Sequence, residues 1–241
     1  MLLATWNLNN RVGKRKFRPE TADAVIALNP DVMVFTEFFP QSHEVPFRRT
    51  LADAGWSNQL ISREPPGEEI ANRVLIAAKA PLEPLDVELP TCDGQFPANL
   101  LCVRLPTWDI SLVGARVPAY ETSPLTLSAW DWLEQTAASL RSTPSVMLGD
   151  LNVSMTSPRA KGGDHFRRIV RDGWHRAVPH GEGSYFGRNG IRTEIDHIIG
   201  TTHCKFSDVV YVQEAGGHTL VAEPGKGAIS DHAVLMCRVS Q

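Results

Sequence analysis

The chain has 241 residues, 42% of them hydrophobic and 21% charged, with a formal net charge of -3. That composition allows a sizeable buried core and excludes a disordered or collagen-like chain. It also excludes nucleic-acid binding by bulk positive charge, though not a local basic patch. Cys92, Cys102, Cys204 and Cys237 are far apart with no CxxC pair, so neither a thiolate zinc site nor a disulfide framework is indicated.

Reduced thiols suit a cytoplasmic location, which is the expectation here. No apolar run approaches the ~20 residues of a membrane span. No signal-peptide pattern precedes Ala4-Thr5-Trp6-Asn7.

Taken in chain order, the elements are mostly short apolar runs bounded by turn residues. Strands are predicted at Leu2 to Leu8, Asp31 to Glu37, Arg73 to Ala78, Leu100 to Leu105, Ile110 to Arg116 and Ser145 to Asp150. Further strands follow at Ile195 to Gly200, Val209 to Gln213 and Ala233 to Val239. Several are apolar on both faces, as in buried central strands.

Helices are predicted between them. Pro19 to Leu28 carries Ala22, Val25 and Ile26 at helical spacing and stops at Asn29-Pro30. Ser123-Pro124 is an N-cap followed by proline at the first helical position. Leu127, Trp130, Leu133, Ala137 and Leu140 then form one apolar stripe. Asp164 to Arg171 ends before Gly173. The order gives an α+β or α/β chain with helices packed on sheets. One domain over residues 1–241 is expected, with Glu64-Pro65-Pro66-Gly67-Glu68-Glu69 a surface loop.

Polar residues recur at the ends of these strands. Asn7 closes the first, and Glu37 closes the second. Asp150 and Asn152 lie in Gly149-Asp150-Leu151-Asn152, after the apolar run Ser145-Val146-Met147-Leu148. If that segment stays extended, the two side chains point the same way. Asp196 and His197 follow Glu194-Ile195, and Asp231 and His232 follow Ser230. Strand-end loops are where open α/β folds build sites.

Carboxylates and amides without cysteine suit a hard cation such as Mg²⁺ or Mn²⁺. Each motif alone also reads as ordinary structure: a turn-forming Asn, a solvated Glu, a local Asp–His pair. Their recurrence in one order is what carries information.

That order resembles the endonuclease/exonuclease/phosphatase superfamily of metal-dependent phosphoesterases, over essentially the whole chain. The resemblance implies a four-layer sandwich, two mixed β-sheets packed face to face and flanked by helices. By that resemblance Glu37 is the principal metal ligand, with Asn7 beside it and Asp231 a second metal-proximal carboxylate. Asp150 positions or deprotonates the attacking water, and Asn152 holds the phosphate or that water. His232 is the phosphate-contacting or base-like histidine, oriented by Asp196.

The implied activity is Mg²⁺- or Mn²⁺-dependent phosphoester hydrolysis, with a nuclease favoured. A phosphatase for a small molecule or lipid headgroup, and a non-catalytic binding domain, are the alternatives. A monomer without membrane attachment is expected.

Three positions depart from the family pattern. Arg116 stands where a Tyr or His usually contacts the scissile phosphate. Arginine cannot donate a proton at neutral pH but binds phosphate bidentately. It is therefore expected as an electrostatic clamp, or else as the partner of a nearby carboxylate. Thr36 stands where Gln is frequent, and His197 where an aromatic ring is common.

For the substrate, Arg11, Lys14, Arg15, Lys16 and Arg18 form a basic run just after Asn7. Such a run can hold phosphates flanking the scissile one, or be a solvated loop. Arg159, Lys161, Arg167, Arg168 and Arg171 form a second. Tyr185, Phe186 and Trp174 are candidates to face a base or sugar, or to pack the core.

Overall fold

The structure is a computed structural model. It describes all residues except 11, 13–17, 41–42, 65–71, 88–95 and 120–123. Arg11, Lys14, Arg15 and Lys16, most of the Pro-rich loop, Cys92 and the Ser123 cap thus lie outside the described residues.

The first half of the chain runs β1 (Leu2–Asn7), α1 (Glu20–Leu28), β2 (Val32–Phe38), α2 (Glu44–Asp53), β3 (Asn58–Ile61), β4 (Arg73–Ala78), β5 (Glu83–Pro84), β6 (Leu100–Leu105) and β7 (Ile110–Arg116). The second half runs α3 (Pro124–Leu140), β8 (Ser145–Asp150), α4 (Gly163–Arg171), β9 (Trp174–Arg176), β10 (Tyr185–Phe186), β11 (Arg192–Thr193) and β12 (Asp196–Thr201). It ends with β13 (Lys205–Val212), β14 (Glu214–Ala215), β15 (His218–Thr219) and β16 (Val234–Ser240).

Two six-stranded sheets hold most of the strands, in the orders β13-β16-β1-β2-β4-β3 and β5-β6-β7-β8-β12-β9. Both are mixed: β1–β2 and β7–β8 are parallel, and their other neighbours are antiparallel. Three buried clusters fill the spaces between layers. Leu3, Val34, Ile76, Leu112, Leu148, Ile198 and Leu235 pack between the sheets. Ala4, Trp6, Met33 and Phe35 face Val25 of α1 and Phe47 and Leu51 of α2. Val113, Met147 and Ile199 face Trp130 and Leu133 of α3 and Phe166 and Ile169 of α4. The result is the expected four-layer sandwich: helix, sheet, sheet, helix.

Residues inside both sheets are apolar on both faces, which is why these strands read as continuous hydrophobic runs. β4, β6, β7 and β8 match their predicted bounds, and the three expected helices form within a residue or so. α1 ends at Asn29, which adopts the left-handed conformation (φ 54°) that an Asn cap tolerates.

The strand period of two then positions the chemistry. Leu3, Leu112, Leu148 and Ile198 point into the gap between the sheets. Asn7, Arg116, Asp150 and Asp196 lie an even number of residues from them, on the same faces. Pairing aligns Arg116 with Asp150 and Asp196 with Asp150 in one sheet, and Asn7 with Thr36 in the other. The inter-sheet gap therefore opens, at one end, onto polar side chains from both sheets.

Gly149 permits this packing at the last step before Asp150. Its φ is +137°, and a Cβ there would lie 2.0 Å from the Ala115 carbonyl oxygen on β7. Both the backbone and the neighbouring strand exclude a larger residue. Gly149→Ala should cost roughly 3 kcal/mol or more in denaturant unfolding, combining left-handed strain with a displaced ladder. A loss under about 1 kcal/mol would contradict this account.

Candidate active site

Asp150, at the end of β8, is the most connected of these groups. Its Oδ2 accepts from Asn7 Nδ2 at 2.8 Å and Asn152 Nδ2 at 3.0 Å, and its Oδ1 accepts from the Asn152 backbone N–H at 3.1 Å. Asn152 also donates from Nδ2 to the Val117 carbonyl at 2.8 Å. The two side chains of Gly149-Asp150-Leu151-Asn152 thus do converge, but not through an extended segment. Asn152 is left-handed, with φ 51°, and its backbone N–H turns back onto Asp150. This local Asx turn, rather than strand periodicity, brings acid and amide together.

Next to it, Asp196 at the start of β12 meets His232 in the segment before β16. His232 Nδ1 lies 2.7 Å from Asp196 Oδ2, with both side chains buried. Their backbones are fixed by serines. Ser184 Oγ accepts from the N–H of Asp196 at 2.9 Å. Ser230 Oγ accepts from the N–H of His232 at 3.1 Å and donates to the Asn7 carbonyl at 2.8 Å. Trp6 Nε1 donates to the His232 carbonyl at 2.9 Å, which ties that segment to β1.

Glu37 does not end its strand as expected. β2 continues to Phe38, and one extra residue between Phe35 and Phe38 forms a bulge against β4. Glu37 sits in that bulge with φ 49°. Bulges re-aim a side chain that regular alternation would send elsewhere. Glu37 Oε1 accepts from Arg116 Nε at 3.0 Å and lies 2.8 Å from Nη2, while Oε2 accepts from Asn10 Nδ2 at 2.8 Å. Of the two expectations for Arg116, pairing with a nearby carboxylate is the one formed in this structure.

Asp231 lies at the rim, where its Oδ1 accepts from Asn9 Nδ2 at 2.7 Å. Asn9 and Asn10 carry no expectation from the sequence. The signal available was the run Asn7-Leu8-Asn9-Asn10, in which both later Asn residues adopt positive φ. Ser184 and Ser230 were missed as well, because nothing in a lone Ser announces a backbone brace.

Tyr185 stands beside the site, its ring 5.1 Å from that of His232. Phe186 and Trp174 belong to the core, and Trp174 Nε1 donates to the Ala137 carbonyl. His197 is a structural residue. It is buried against Phe166, its Nε2 lies 2.6 Å from the Val153 carbonyl, and burial lowers its pKa to about 4. Arg18, the described member of the first basic run, lines a cleft of about 310 Å³ with Asn9, Ser230 and Asp231. The second basic run is largely spent on ion pairs: Arg159 and Arg167 with Asp164, and Arg168 with Glu134.

Charge sets the protonation of this corner. Burial, then repulsion from Asp196, pushes Asp150 up to about 7, against the opposing pull of His232 and Arg116. Burial alone would depress His232, but the charge and hydrogen bond of Asp196 outweigh it and raise the imidazole to about 10. His232 is therefore a cation at neutral pH, and its Nδ1 donates to Asp196. Asp196 Oδ1 is buried with no hydrogen-bond partner among the described residues.

Side chains able to hold a metal group in two places among the described residues. Asp150, Asp196 and His232 form the buried group, and Asp131, Glu134 and His165 form one on the α3–α4 surface. In the second, Arg168 already occupies Glu134.

The chain belongs to the endonuclease/exonuclease/phosphatase family, whose sequence model matches residues 4–232. Three solved structures share the fold. A 3′ phosphatase from Neisseria bound to a product DNA hairpin has a TM-score of 0.74 at 17% identity, with 100% of each chain covered. A 3′–5′ exonuclease from Neisseria meningitidis has a TM-score of 0.73 at 18% identity, again with 100% of each chain covered. An AP endonuclease from Archaeoglobus fulgidus has a TM-score of 0.71 at 17% identity, covering 99% of this chain and 98% of its own. No curated protein matches the sequence at a significant level. None of the described helices is long and apolar enough to cross a membrane.

The pKa of Asp150 has a consequence for stability. Its folded value, about 7, lies above its ordinary value of 3.8, so the proton stabilises the native state. That contribution is complete below pH 3.8 and is lost as pH rises through about 7. In cation-free buffer, Asp150→Asn should flatten this part of the profile. From pH 4 to 7.5 the stability difference should swing toward the variant by at least about 1 kcal/mol in urea unfolding. Parallel profiles for the two proteins would show that Asp150 is not held in this way.

Proposed function

We propose that this chain is a divalent-cation-dependent phosphoester hydrolase, with Mg²⁺ or Mn²⁺ as cofactor and a nucleic-acid phosphodiester as substrate. The observation that carries the reading is the Asn7–Asp150–Asn152 cluster set beside the Asp196–His232 pair, with Glu37 at the edge. Family membership and the DNA hairpin bound by the Neisseria 3′ phosphatase support it.

The residues fit a hard cation. Their donors are oxygens, and the corner holds more acid than base: Asp150 is pushed toward protonation, and Asp196 Oδ1 lacks a partner among the described residues. Glu37, with Asn7 beside it, is the proposed ligand pair, and Asp231 is a second carboxylate nearby. When bound, the cation supplies charge neutralisation at the phosphoryl group and a lowered pKa for water.

The protein's own residues divide the remaining work. Asp150, with a pKa near neutrality, takes the proton of the attacking water. Asn7 and Asn152 hold its carboxylate in place through their amide donors. His232, kept cationic by Asp196, binds a phosphate oxygen through Nε2, because Nδ1 is engaged. Tyr185, whose ring lies tilted beside the imidazole, is proposed as a wall for the substrate's base or sugar. Arg11, Lys14 and Arg15 are proposed to hold flanking phosphates, and a single domain acting as a monomer is proposed to suffice.

Turnover should be sought on single- and double-stranded DNA, abasic DNA, RNA, inositol phosphates and an aryl phosphodiester, with Mg²⁺ and Mn²⁺. Cleavage of at least one nucleic acid is expected. Asp150→Asn should reduce it by roughly 10³–10⁴-fold. Selective turnover of small phosphates would replace the substrate assignment. No turnover with either ion, or full activity in Asp150→Asn, would remove the hydrolase assignment.

A further inference from the structure

The contact that the proposed reaction does not use is the one between Arg116 and Glu37. It is an inward-facing pair: the side chains are 17% and 15% exposed, so solvent screens it weakly. Both contacts fall on one oxygen, Glu37 Oε1, from Arg116 Nε at 3.0 Å and Nη2 at 2.8 Å. The guanidinium lies across this one oxygen, with Nε donating to it and Nη2 at ion-pair distance. The other oxygen, Oε2, accepts from Asn10. Each oxygen of Glu37 thus already has a partner without a metal, whereas Asp196 Oδ1 has none among the described residues.

Two cations cannot share the same lone pairs. Breaking a mostly buried ion pair is costly unless the charge left behind finds a new partner at once. A phosphate oxygen close to Asp150 would be such a partner, because Arg116 and Asp150 are paired in register on β7 and β8. Arginine's planar fork suits phosphate as well as carboxylate.

Resting on the cation-dependent reading above, we infer that Arg116 is the resident counter-cation of Glu37. Arg116 gives up Oε1 when a divalent cation is taken, and its guanidinium passes to the substrate phosphate. Cation and substrate then load with positive coupling: each favours the state in which the Arg116–Glu37 pair is open. Arg116 is in this sense a device that keeps Glu37 paired until the cation takes its place.

The test uses the full chain, ¹⁵N-labelled and titrated with Mg²⁺, while the side-chain Nε–H signal of Arg116 is followed by NMR. Arg116→Gln assigns that signal, and backbone shifts near Asp150 report binding itself. The Nε signal should move or broaden in step with binding, as its hydrogen bond to Glu37 opens. Arg116→Gln should bind Mn²⁺ at least about fivefold tighter than the unaltered protein, and Arg116→Lys by a smaller factor. Binding that leaves the Arg116 signal unchanged, or no gain in affinity in Arg116→Gln, would overturn the inference and leave the hydrolase reading standing. Absence of Mg²⁺ and Mn²⁺ binding in all three proteins would overturn both.

Discussion

Charge balance at the open end of the inter-sheet gap is the constraint on which the rest of the structure turns. Glu37, Asp150 and Asp196 place three carboxylates there, and Arg116 and His232 place two cationic side chains against them. Buried charge is tolerated only when it is paired or neutralised. Arg116 balances Glu37, and His232 balances Asp196. Asp150, buried and repelled by Asp196, has only neutral amides as hydrogen-bond donors and holds a proton more tightly than an ordinary carboxyl. A site that stops one charge short of balance is suited to take a cation.

The fold produces this concentration from simple ingredients. Strand alternation sends every second side chain into the gap between the sheets, where most are apolar and seal the core. At the last step of β1, β7 and β8 and the first step of β12, the same alternation delivers Asn7, Arg116, Asp150 and Asp196 instead. Two parallel pairs, β1–β2 and β7–β8, align the ends of those strands. The long connections around α1 and α3 that such pairs demand keep helices on the outer faces, clear of the opening. Core and site are therefore one pattern, read in different places along the strands.

Much of this is legible in the sequence, for reasons particular to each segment. Ser145-Val146-Met147-Leu148 is buried on both faces, so its unbroken apolar run marks a central strand. α2 was not anticipated because Glu44–Asp53 contains Pro46 and buries only Phe47 and Leu51, too little to show helical periodicity. β9, β10 and β11 are two or three residues long and exist only through their partners. The identities of the site residues were visible as strand-end polar groups, but their geometry was not. The bulge that turns Glu37 depends on its pairing with β4, and the turn that joins Asn152 to Asp150 departs from the extended form expected there. The partner of Arg116 was likewise a matter of tertiary placement, since Glu37 is 79 residues away in the chain.

The central claim, that strand ends from two sheets build one cation-dependent phosphoesterase site, is most directly tested by locating the ion. A crystal of the protein grown with Mn²⁺ and phosphate, measured for anomalous scattering, gives its position without reference to activity. The account predicts an anomalous peak coordinated by Glu37, with phosphate within reach of Asn152 and His232. A peak only at Asp131, Glu134 and His165 on the α3–α4 surface, or an ordered site with no ion at saturating Mn²⁺, would contradict it.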